Sequence, residues 1–341
     1  MKKVVAIIMM AAMLLGLCGC AAPAAEAETA PAEEAVVEEA VVEEEPAESE
    51  SYTVGICQLV QHPALDAATQ GFKDVLAEQL GDSVTIEEGN ASNDIPTCAT
   101  ICNGYAASNV DLIMANATPA LQAAVAATNT IPVLGTSVTE YGVALGIENF
   151  SGVVGTNVSG TSDLAPLDQQ AAMISELLPD AKTVGILYCS AEANSVYQAE
   201  VVKGCLEAAG LTVSIYTFAD SNDIAAVTTS ACSECDALYI PTDNTAASCT
   251  EAINAVALPA GVPIITGDEG TCAGCGVATL CIDYYELGRA TGEMAVKVLK
   301  GEANVAEMEI GYASEPTKKY NADIAAQLGV EIPEGYTAIG E

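Results

Sequence analysis

The sequence predicts an α/β protein built from two doubly wound parallel-sheet lobes that are joined by a hinge. From residue 52 onward, short apolar runs alternate with helical segments, which is typical of parallel α/β units. The chain has 341 residues, and at ~150 residues per domain this length favours two domains. Three landmarks of the first half also recur in order in the second: TVGI at 53–56 and 183–186, DLIM at 111–114 with DALY at 236–239, and IPVLGT at 131–136 with VPIITG at 262–267.

The first nineteen residues predict a secretory signal peptide. Lys2 and Lys3 precede an uncharged apolar run at 4–17, which is shorter than the ~20 residues of a membrane span. The run ends in LCGC at 17–20, which resembles a bacterial lipobox. That resemblance implies cleavage before Cys20 and a diacylglycerol on its sulfur. The alternative is a simple secretory signal with an accidental cysteine.

Residues 20–50 predict an extended linker between this anchor and the folded part. The segment consists almost entirely of Ala, Glu, Pro and Val, and it contains eleven glutamates and no Lys or Arg. Such a composition repels itself and cannot bury a core.

The folded part is expected to contain ten strands and six helices. The strands are predicted at 52–60, 84–88, 111–115, 131–135, 153–155, 183–188, 213–218, 237–240, 263–266 and 277–282. The helices are predicted at 64–80, 95–107, 119–128, 195–209, 223–230 and 246–257.

Composition excludes several classes of function. The formal charge is −37, with 47 acidic and 10 basic residues, whereas nucleic-acid binding needs clustered Lys and Arg. The same acidity disfavours adsorption to anionic lipid through a basic patch. A single histidine, His62, leaves little room for histidine-based catalysis, and the sequence has neither a Gly-x-Ser-x-Gly elbow nor a P-loop. We therefore expect a non-enzymatic protein without a cofactor or bound metal; a thiol oxidoreductase or hydrolase is the enzymatic alternative.

The loops that follow the strands are the candidate ligand site, because ligands of open parallel sheets bind beyond the carboxyl ends of the strands. The polar candidates in these loops are Gln58, His62, Thr118, Ser137, Asn194, Ser195, Asp243, Asn244, Asp268 and Glu269. None of these loops carries Lys or Arg. A ligand carboxylate would therefore meet helix N-termini and the hydroxyls of Thr118, Ser137 and Ser195. An ammonium would meet Asp243, Asp268 or Glu269.

Each of these candidates also has a purely structural interpretation. Thr118, Ser195 and Asp243 are suited to helix capping or an Asx turn. Asp268 and Glu269 are equally consistent with a solvated loop, and His62 with a surface histidine.

The cysteines predict core packing rather than zinc binding. Two CxxC pairs occur at 232–235 and 272–275, but in the predicted sheet they lie at opposite ends of a strand about 20 Å long. Cys57, Cys205 and Cys281 are expected in the core. Local disulfides within 98–102 and within 272–275 remain open.

Six motifs carry a resemblance to a known family: QLVQHPALD at 58–66, ATPA at 117–120, GTSDL at 160–164, EANS at 192–195, PTDNT at 241–245 and IDYYELG at 282–288. The chain resembles the ABC-transporter substrate-binding lipoproteins of the periplasmic-binding type I fold, in the branch that binds tryptophan, tyrosine and phenylalanine. The resemblance covers residues 52–333.

The resemblance implies a lipid-anchored, extracytoplasmic and monomeric receptor that delivers an amino acid to an ABC permease and ATPase complex. It also implies that lobe 1 comprises 51–165 and 284–307, with a helix at 286–300, and that lobe 2 comprises 166–283 and 308–341. Tyr141, Tyr188, Tyr197 and Tyr239 are candidate neighbours of an aromatic ligand. A sensory receptor of the same fold, or a nucleoside, sugar or aliphatic amino acid as ligand, are the alternatives.

Overall fold

A computed structural model describes residues 51–312 and 315–340. The predicted signal peptide, Cys20 and the acidic linker lie outside the described residues.

Thirteen strands within the described residues form two sheets. In chain order they are β1 (Tyr52–Gln58), β2 (Val84–Asn90), β3 (Leu112–Asn116), β4 (Val133–Val138), β5 (Val158–Ser162), β6 (Thr183–Cys189), β7 (Thr212–Phe218), β8 (Ala237–Ile240), β9 (Ile264–Thr266), β10 (Ala278–Cys281), β11 (Gly311–Tyr312), β12 (Thr317–Tyr320) and β13 (Thr337–Ala338). The first sheet has the order β11-β5-β4-β3-β1-β2 and the second β13-β12-β10-β9-β8-β6-β7. Every pair of strands in these sheets is parallel except β10 with β12, which confirms the predicted fold class.

Twelve α-helices of the described residues connect or cover these strands. They are α1 (Pro63–Leu80), α2 (Ile95–Ser108), α3 (Thr118–Ala127), α4 (Tyr141–Leu145), α5 (Leu167–Leu177), α6 (Ala193–Ala208), α7 (Ile224–Glu234), α8 (Asn244–Ala247), α9 (Thr250–Ala260), α10 (Glu269–Cys275), α11 (Tyr284–Leu299) and α12 (Ala322–Leu328). Short 3₁₀ turns occupy Gly81–Ser83 and Val305–Glu307. None of the helices in the described ranges combines the length and the apolar character needed to cross a bilayer.

Burial follows the position of each strand in its sheet. The central strands β3 and β8 are buried at every residue, whereas the edge strand β2 alternates between half-buried and exposed positions. Helices cover both faces of each parallel sheet, so central strands need continuous apolar sequence. In lobe 1, α2 and α3 pack on one face, while α1 and α11 pack on the other.

Two glycines allow α1 and α11 to pack closely. A Cβ on Gly288 would lie 2.0 Å from the carbonyl oxygen of Ala68, and one on Gly71 would lie 2.1 Å from that of Tyr285. These distances are far inside van der Waals contact, so only glycine lets the two backbones approach. The packing fixes the start of α11 against lobe 1, next to the connections between the lobes.

Two predicted elements differ from the structure. The expected strand at 153–155 contributes a single bridge, from Val153 to Glu309, and the sheet is continued instead by β5. Gly152 and Gly155 flank the bridge with positive φ angles, which interrupts an extended strand. The expected single helix at 246–257 is two helices, α8 and α9, because the backbone at Cys249 leaves the helical region.

The chain crosses between the sheets three times. The crossings lie between β5 and α5, between β10 and α11, and between β11 and β12. The third crossing comes later than the predicted boundary at residue 308, because Gly311 and Tyr312 still pair with β5 in the first sheet.

All eleven cysteines of the described residues are free thiols, including the pairs at 98–102 and 272–275. Cys57 and Cys281 are buried as expected, whereas Cys205 is only partly buried. No cluster of three side chains suited to a metal ion occurs in 51–312 or 315–340.

Candidate functional site

A small cavity lies between the lobes, where the carboxyl ends of the strands of both sheets face each other. Its volume is about 10 Å³, room for about one water molecule and far less than the ~300–1,000 Å³ typical of small-molecule sites. The lining residues are His62, Ala64, Leu65, Ser137, Asp163, Asn194, Thr242, Asp243, Asn244, Ala247, Asp268 and Tyr284.

The topology explains why residues so distant in sequence meet there. In lobe 1, His62 follows β1, Ser137 lies at an irregularity near the end of β4, and Asp163 directly follows β5. In lobe 2, the residues after β6, β8 and β9 supply the opposite wall, and Tyr284 begins α11 where the chain returns to lobe 1. Parallel strands bring their carboxyl ends to one edge, so each loop reaches the same cleft.

Unpartnered polar atoms are concentrated at this cleft. Within the described residues, seven buried side-chain polar atoms have no hydrogen-bond partner: His62 Nδ1, Asn116 Oδ1, Thr118 Oγ1, Ser137 Oγ, Asp163 Oδ1, Asn194 Oδ1 and Thr279 Oγ1. Four of them belong to residues that line the cavity, and Thr118 begins α3 at the same edge of the sheet. Buried polar groups normally have partners. Their concentration here indicates a place where a bound molecule supplies the missing hydrogen bonds.

The cavity is strongly acidic. Asp163, Asp243 and Asp268 line it, and no Lys or Arg does. Burial raises the pKa of Asp163 to about 6, against the lowering effect of the Tyr284 and Thr139 hydroxyls. Burial, together with the neighbouring Glu192 carboxylate, raises the pKa of Asp243 to about 8. Burying carboxylates together is costly, and a cationic group in the cavity would relieve that cost.

Two of the predicted ammonium acceptors have both carboxylate oxygens occupied by hydrogen bonds within lobe 2. Asp243 accepts from the backbone N–H of Ala246 and of Cys189, at 2.8 and 2.7 Å. Asp268 accepts from the N–H and the hydroxyl of Thr271, at 2.8 and 2.6 Å. Both line the cavity, but they act as caps of α8 and α10.

Glu269 lies outside the cavity lining. Its Oε2 accepts from Lys319 Nζ at 2.6 Å in a partly exposed ion pair. Gln58 also points elsewhere: it donates to Val60 O and Asp66 Oδ1, and it accepts from Thr69. Its polarity is thus satisfied between β1 and α1.

Other predicted residues meet at the cavity. His62 Nε2 lies 3.3 Å from Asn244 Oδ1, across the cleft. Asn194 Nδ2 donates to Thr242 O at 3.0 Å and to Ser195 Oγ at 3.2 Å. Ser195 is fully buried behind Asn194 rather than in the lining itself.

Glu192 holds the lobe 2 side of the site in place. Its Oε1 accepts from the N–H and the hydroxyl of Thr245, at 2.9 and 2.8 Å. Its Oε2 accepts from the N–H and the side chain of Asn244, at 3.1 and 2.6 Å. These bonds fix the orientation of Asn244 toward His62.

Backbone strain accompanies the lobe 1 side. Ala117, after β3, has φ 94° and ψ 156°, and Ser137, within β4, has φ 54°. Such conformations cost non-glycine residues free energy and cluster at ligand sites. They position Thr118 and Ser137, whose hydroxyls are both buried and unpartnered.

Sequence reasoning missed Asp163 and Tyr284. Asp163 follows β5 directly, and Tyr284 begins α11, three residues after the end of β10. The sequence predicts a strand at 153–155 instead of β5, so Asp163 does not follow a predicted strand. None of the four tyrosines proposed as ligand neighbours lines the cavity; the Tyr141 and Tyr239 hydroxyls, for example, donate to Thr161 O and to Gln170 within the lobes.

The lobes are in direct contact across the cleft. Besides the pair of His62 and Asn244, Asn93 Nδ2 donates to Thr245 Oγ1 at 2.9 Å, and Gln198 Nε2 to Thr139 Oγ1 at 3.4 Å. The cavity is therefore enclosed between two closed lobes.

Comparisons with known proteins agree with this arrangement. The model of a family described as "ABC transporter substrate binding protein" matches residues 53–339. The chain is 34% identical over 281 residues to a "Tyrosine-binding protein" of Clostridioides difficile (strain R20291), which covers 82% of this chain and 81% of that protein.

Two solved structures share 36% identity with the chain. One is an ABC domain in complex with L-Trp from Streptococcus pneumonia, with a TM-score of 0.81, covering 85% of this chain and all of that one. The other is a ligand-free, open substrate-binding protein with adhesive properties from Clostridium difficile, with a TM-score of 0.65, covering 84% and 99%. At equal identity, the present structure has the higher TM-score to the L-Trp complex and the lower one to the ligand-free, open structure. This difference agrees with the contact between the lobes of the present structure.

Proposed function

The chain belongs to the family of ABC transporter substrate-binding proteins, and we propose that it captures an aromatic amino acid in the cavity between its lobes. Proteins of this family are extracytoplasmic, and they bind small molecules and components of the transporter. The observation that carries the proposal is the enclosed cavity with its unpartnered buried polar atoms, to which both lobes contribute.

The groups at the cavity suit a zwitterion with an apolar side chain. Acidic and neutral acceptors suit an ammonium, while the hydroxyls of Thr118 and Ser137 suit a carboxylate. Ala64, Leu65 and Ala247 provide apolar surface for the side chain. The relatives described as binding tyrosine and as crystallised with L-Trp support an aromatic ligand.

We further propose that the mature chain is a monomer tethered by a lipid on Cys20, and that it passes its ligand to an ABC permease and ATPase complex. The lipobox-like sequence at 17–20 and the acidic linker support the tether.

The proposal is tested by thermal unfolding with L-tyrosine, L-tryptophan and L-phenylalanine, with L-leucine, D-glucose and adenosine as comparison ligands. A ligand at 100 times its Kd adds about 2.7 kcal/mol to the free energy of unfolding. We expect the aromatic amino acids to raise Tm the most. Stabilisation by glucose or adenosine alone would contradict an amino acid ligand.

A matched pair of variants locates the binding. Ala247→Leu places extra volume in the cavity lining and should abolish the ligand-induced rise in Tm. Ala226→Leu makes the same change at an exposed position of α7 and should leave it intact. Equal responses of the two variants would place the ligand elsewhere.

A further inference from the structure

The unpartnered atoms of the cavity are mainly hydrogen-bond acceptors. Asn194 commits its Nδ2 to Thr242 O and Ser195, so its unpartnered atom is the carbonyl Oδ1. Asn244 likewise donates its Nδ2 to Glu192, so its Oδ1 must accept from His62 Nε2. In the neutral form of the ring, this network places the proton on Nε2 and leaves Nδ1 of His62 as an unpartnered acceptor.

Asp163 is the one carboxylate of the cavity lining with an unpartnered oxygen. The residue is 4% exposed; its Oδ2 accepts from the Tyr284 hydroxyl at 2.8 Å, and its Oδ1 has no partner. An ionised carboxylate can only accept hydrogen bonds. With no Lys or Arg in the lining, a cationic partner for this oxygen has to come from the ligand.

We propose that Asp163 binds the ammonium group of the ligand, and that the cavity therefore also accepts primary arylalkylamines while it excludes aromatic carboxylic acids without an amine. This inference rests on the proposed function, because it concerns the same cavity. It defines the ligand class by the ammonium rather than by the carboxylate.

The two ends of an amino acid are unequal in this cavity. If the ligand lacks the carboxylate, the groups left without a hydrogen-bond partner are neutral hydroxyls, such as those of Thr118 and Ser137. A ligand that lacks the ammonium leaves the Asp163 charge unpaired and adds a second negative charge beside it. Hydrogen bonds to charged groups are stronger than those between neutral groups, so the second loss is larger.

Titration calorimetry at pH 7.5 with three probes tests the inference on the unaltered protein: L-tyrosine, tyramine and 3-(4-hydroxyphenyl)propionate. We expect tyramine to bind within about 30-fold of L-tyrosine, and the propionate at least about 100-fold more weakly than L-tyrosine. A propionate that binds as tightly as tyramine would overturn the inference.

The variant Asp163→Asn assigns the effect to this side chain. It should weaken L-tyrosine and tyramine at least about 10-fold while leaving the propionate unchanged or improved. Asp323→Asn, an exposed position of α12, is the matched control and should change none of the three. Equal weakening of all three probes in Asp163→Asn would indicate a structural role and would overturn the inference.

The outcomes separate this inference from the proposed function. If L-tyrosine, L-tryptophan and L-phenylalanine fail to bind but tyramine binds through Asp163, the inference holds and the amino acid assignment fails. If L-tyrosine binds without regard to Asp163, the proposed function holds and the inference fails. If no probe binds, both fail.

Discussion

At the scale of single residues, the Asp163 carboxyl group couples ligand binding to pH. Burial raises its pKa to about 6, so it is ionised above that pH and protonated below it. The ammonium group of the ligand binds the ionised form of Asp163. Below pH 6 the carboxyl group must therefore lose its proton before the ligand binds. We expect the affinity for L-tyrosine to fall as pH decreases through 6, approaching tenfold per pH unit from this group. Calorimetry between pH 8 and pH 5 measures the Kd of L-tyrosine. A Kd that does not change over this range would contradict the assignment of Asp163 as the ammonium-binding residue.

The same carboxyl group lowers the stability of the ligand-free protein at neutral pH. Its pKa rises from 3.8 in the unfolded chain to about 6, a difference of about 3 kcal/mol at ~1.4 kcal/mol per pH unit. The folded state holds the proton more tightly, so this cost is present above pH 6 and disappears as pH falls toward 4.

Asp163→Asn should therefore raise the free energy of unfolding at pH 7.5, by up to about 3 kcal/mol, and give no gain at pH 4. Urea unfolding at both pH values is the measurement. A loss of stability at pH 7.5 would show instead that the Asp163 charge is compensated by a partner in the folded protein, and would contradict the prediction.

Individual residues also show how far sequence reasoning reaches. Strand ends and hydroxyl-rich loops led to His62, Ser137 and Asn194, all in the cavity lining. Sequence alone does not tell a capping aspartate from a ligand-binding one. Asp243 and Asp163 both follow strands, and only the hydrogen bonds of the folded chain show which oxygen is unpartnered.

At the scale of elements, the close contact of α1 with α11 gives a stability prediction. Gly288→Ala would place a Cβ 2.0 Å from Ala68 O, so the helices must separate, and we expect a loss of about 1–3 kcal/mol. Gly204→Ala, in α6, meets no atom within 4 Å and should instead stabilise by about 0.5–1 kcal/mol. Chemical denaturation compares the two; equal effects would mean that α1 and α11 do not pack this closely.

Strand β5 shows why one element escaped prediction. All five of its residues are buried, yet three carry hydroxyls and only Val158 is strongly apolar. Its polarity is satisfied internally: Thr161 Oγ1 lies 2.8 Å from Thr291 Oγ1, and Ser162 donates to Thr139 O at 2.8 Å. Hydrophobic patterning finds strands that bury apolar side chains, such as β3 and β8, but not a strand whose buried groups pair with distant residues.

At the scale of the whole molecule, the proposed lipid on Cys20 decides where the protein resides. Cys20→Ala should remove the attachment point and move the protein from the membrane fraction to the soluble extracytoplasmic fraction. Cys18→Ala, two residues earlier in the same segment, is the matched control and should leave it membrane-bound. Fractionation with immunoblotting measures both; membrane retention of Cys20→Ala would contradict the lipid anchor.

The closed arrangement of the lobes depends on few direct interactions. Neutral hydrogen bonds such as that from Asn93 to Thr245 contribute about 1 kcal/mol each. Against them stands the cost of enclosing the Asp163 carboxylate, whose Oδ1 has no hydrogen-bond partner, without a cation. We therefore expect the lobes to separate in the ligand-free protein and to close when a cationic group enters, by bending at the three crossings of the chain.

Small-angle X-ray scattering with and without L-tyrosine measures whether the lobes close around the ligand. We expect a smaller radius of gyration with saturating L-tyrosine, no change with D-glucose, and no change for Ala247→Leu with L-tyrosine. A radius of gyration that stays the same while calorimetry shows L-tyrosine bound would contradict capture between two closing lobes.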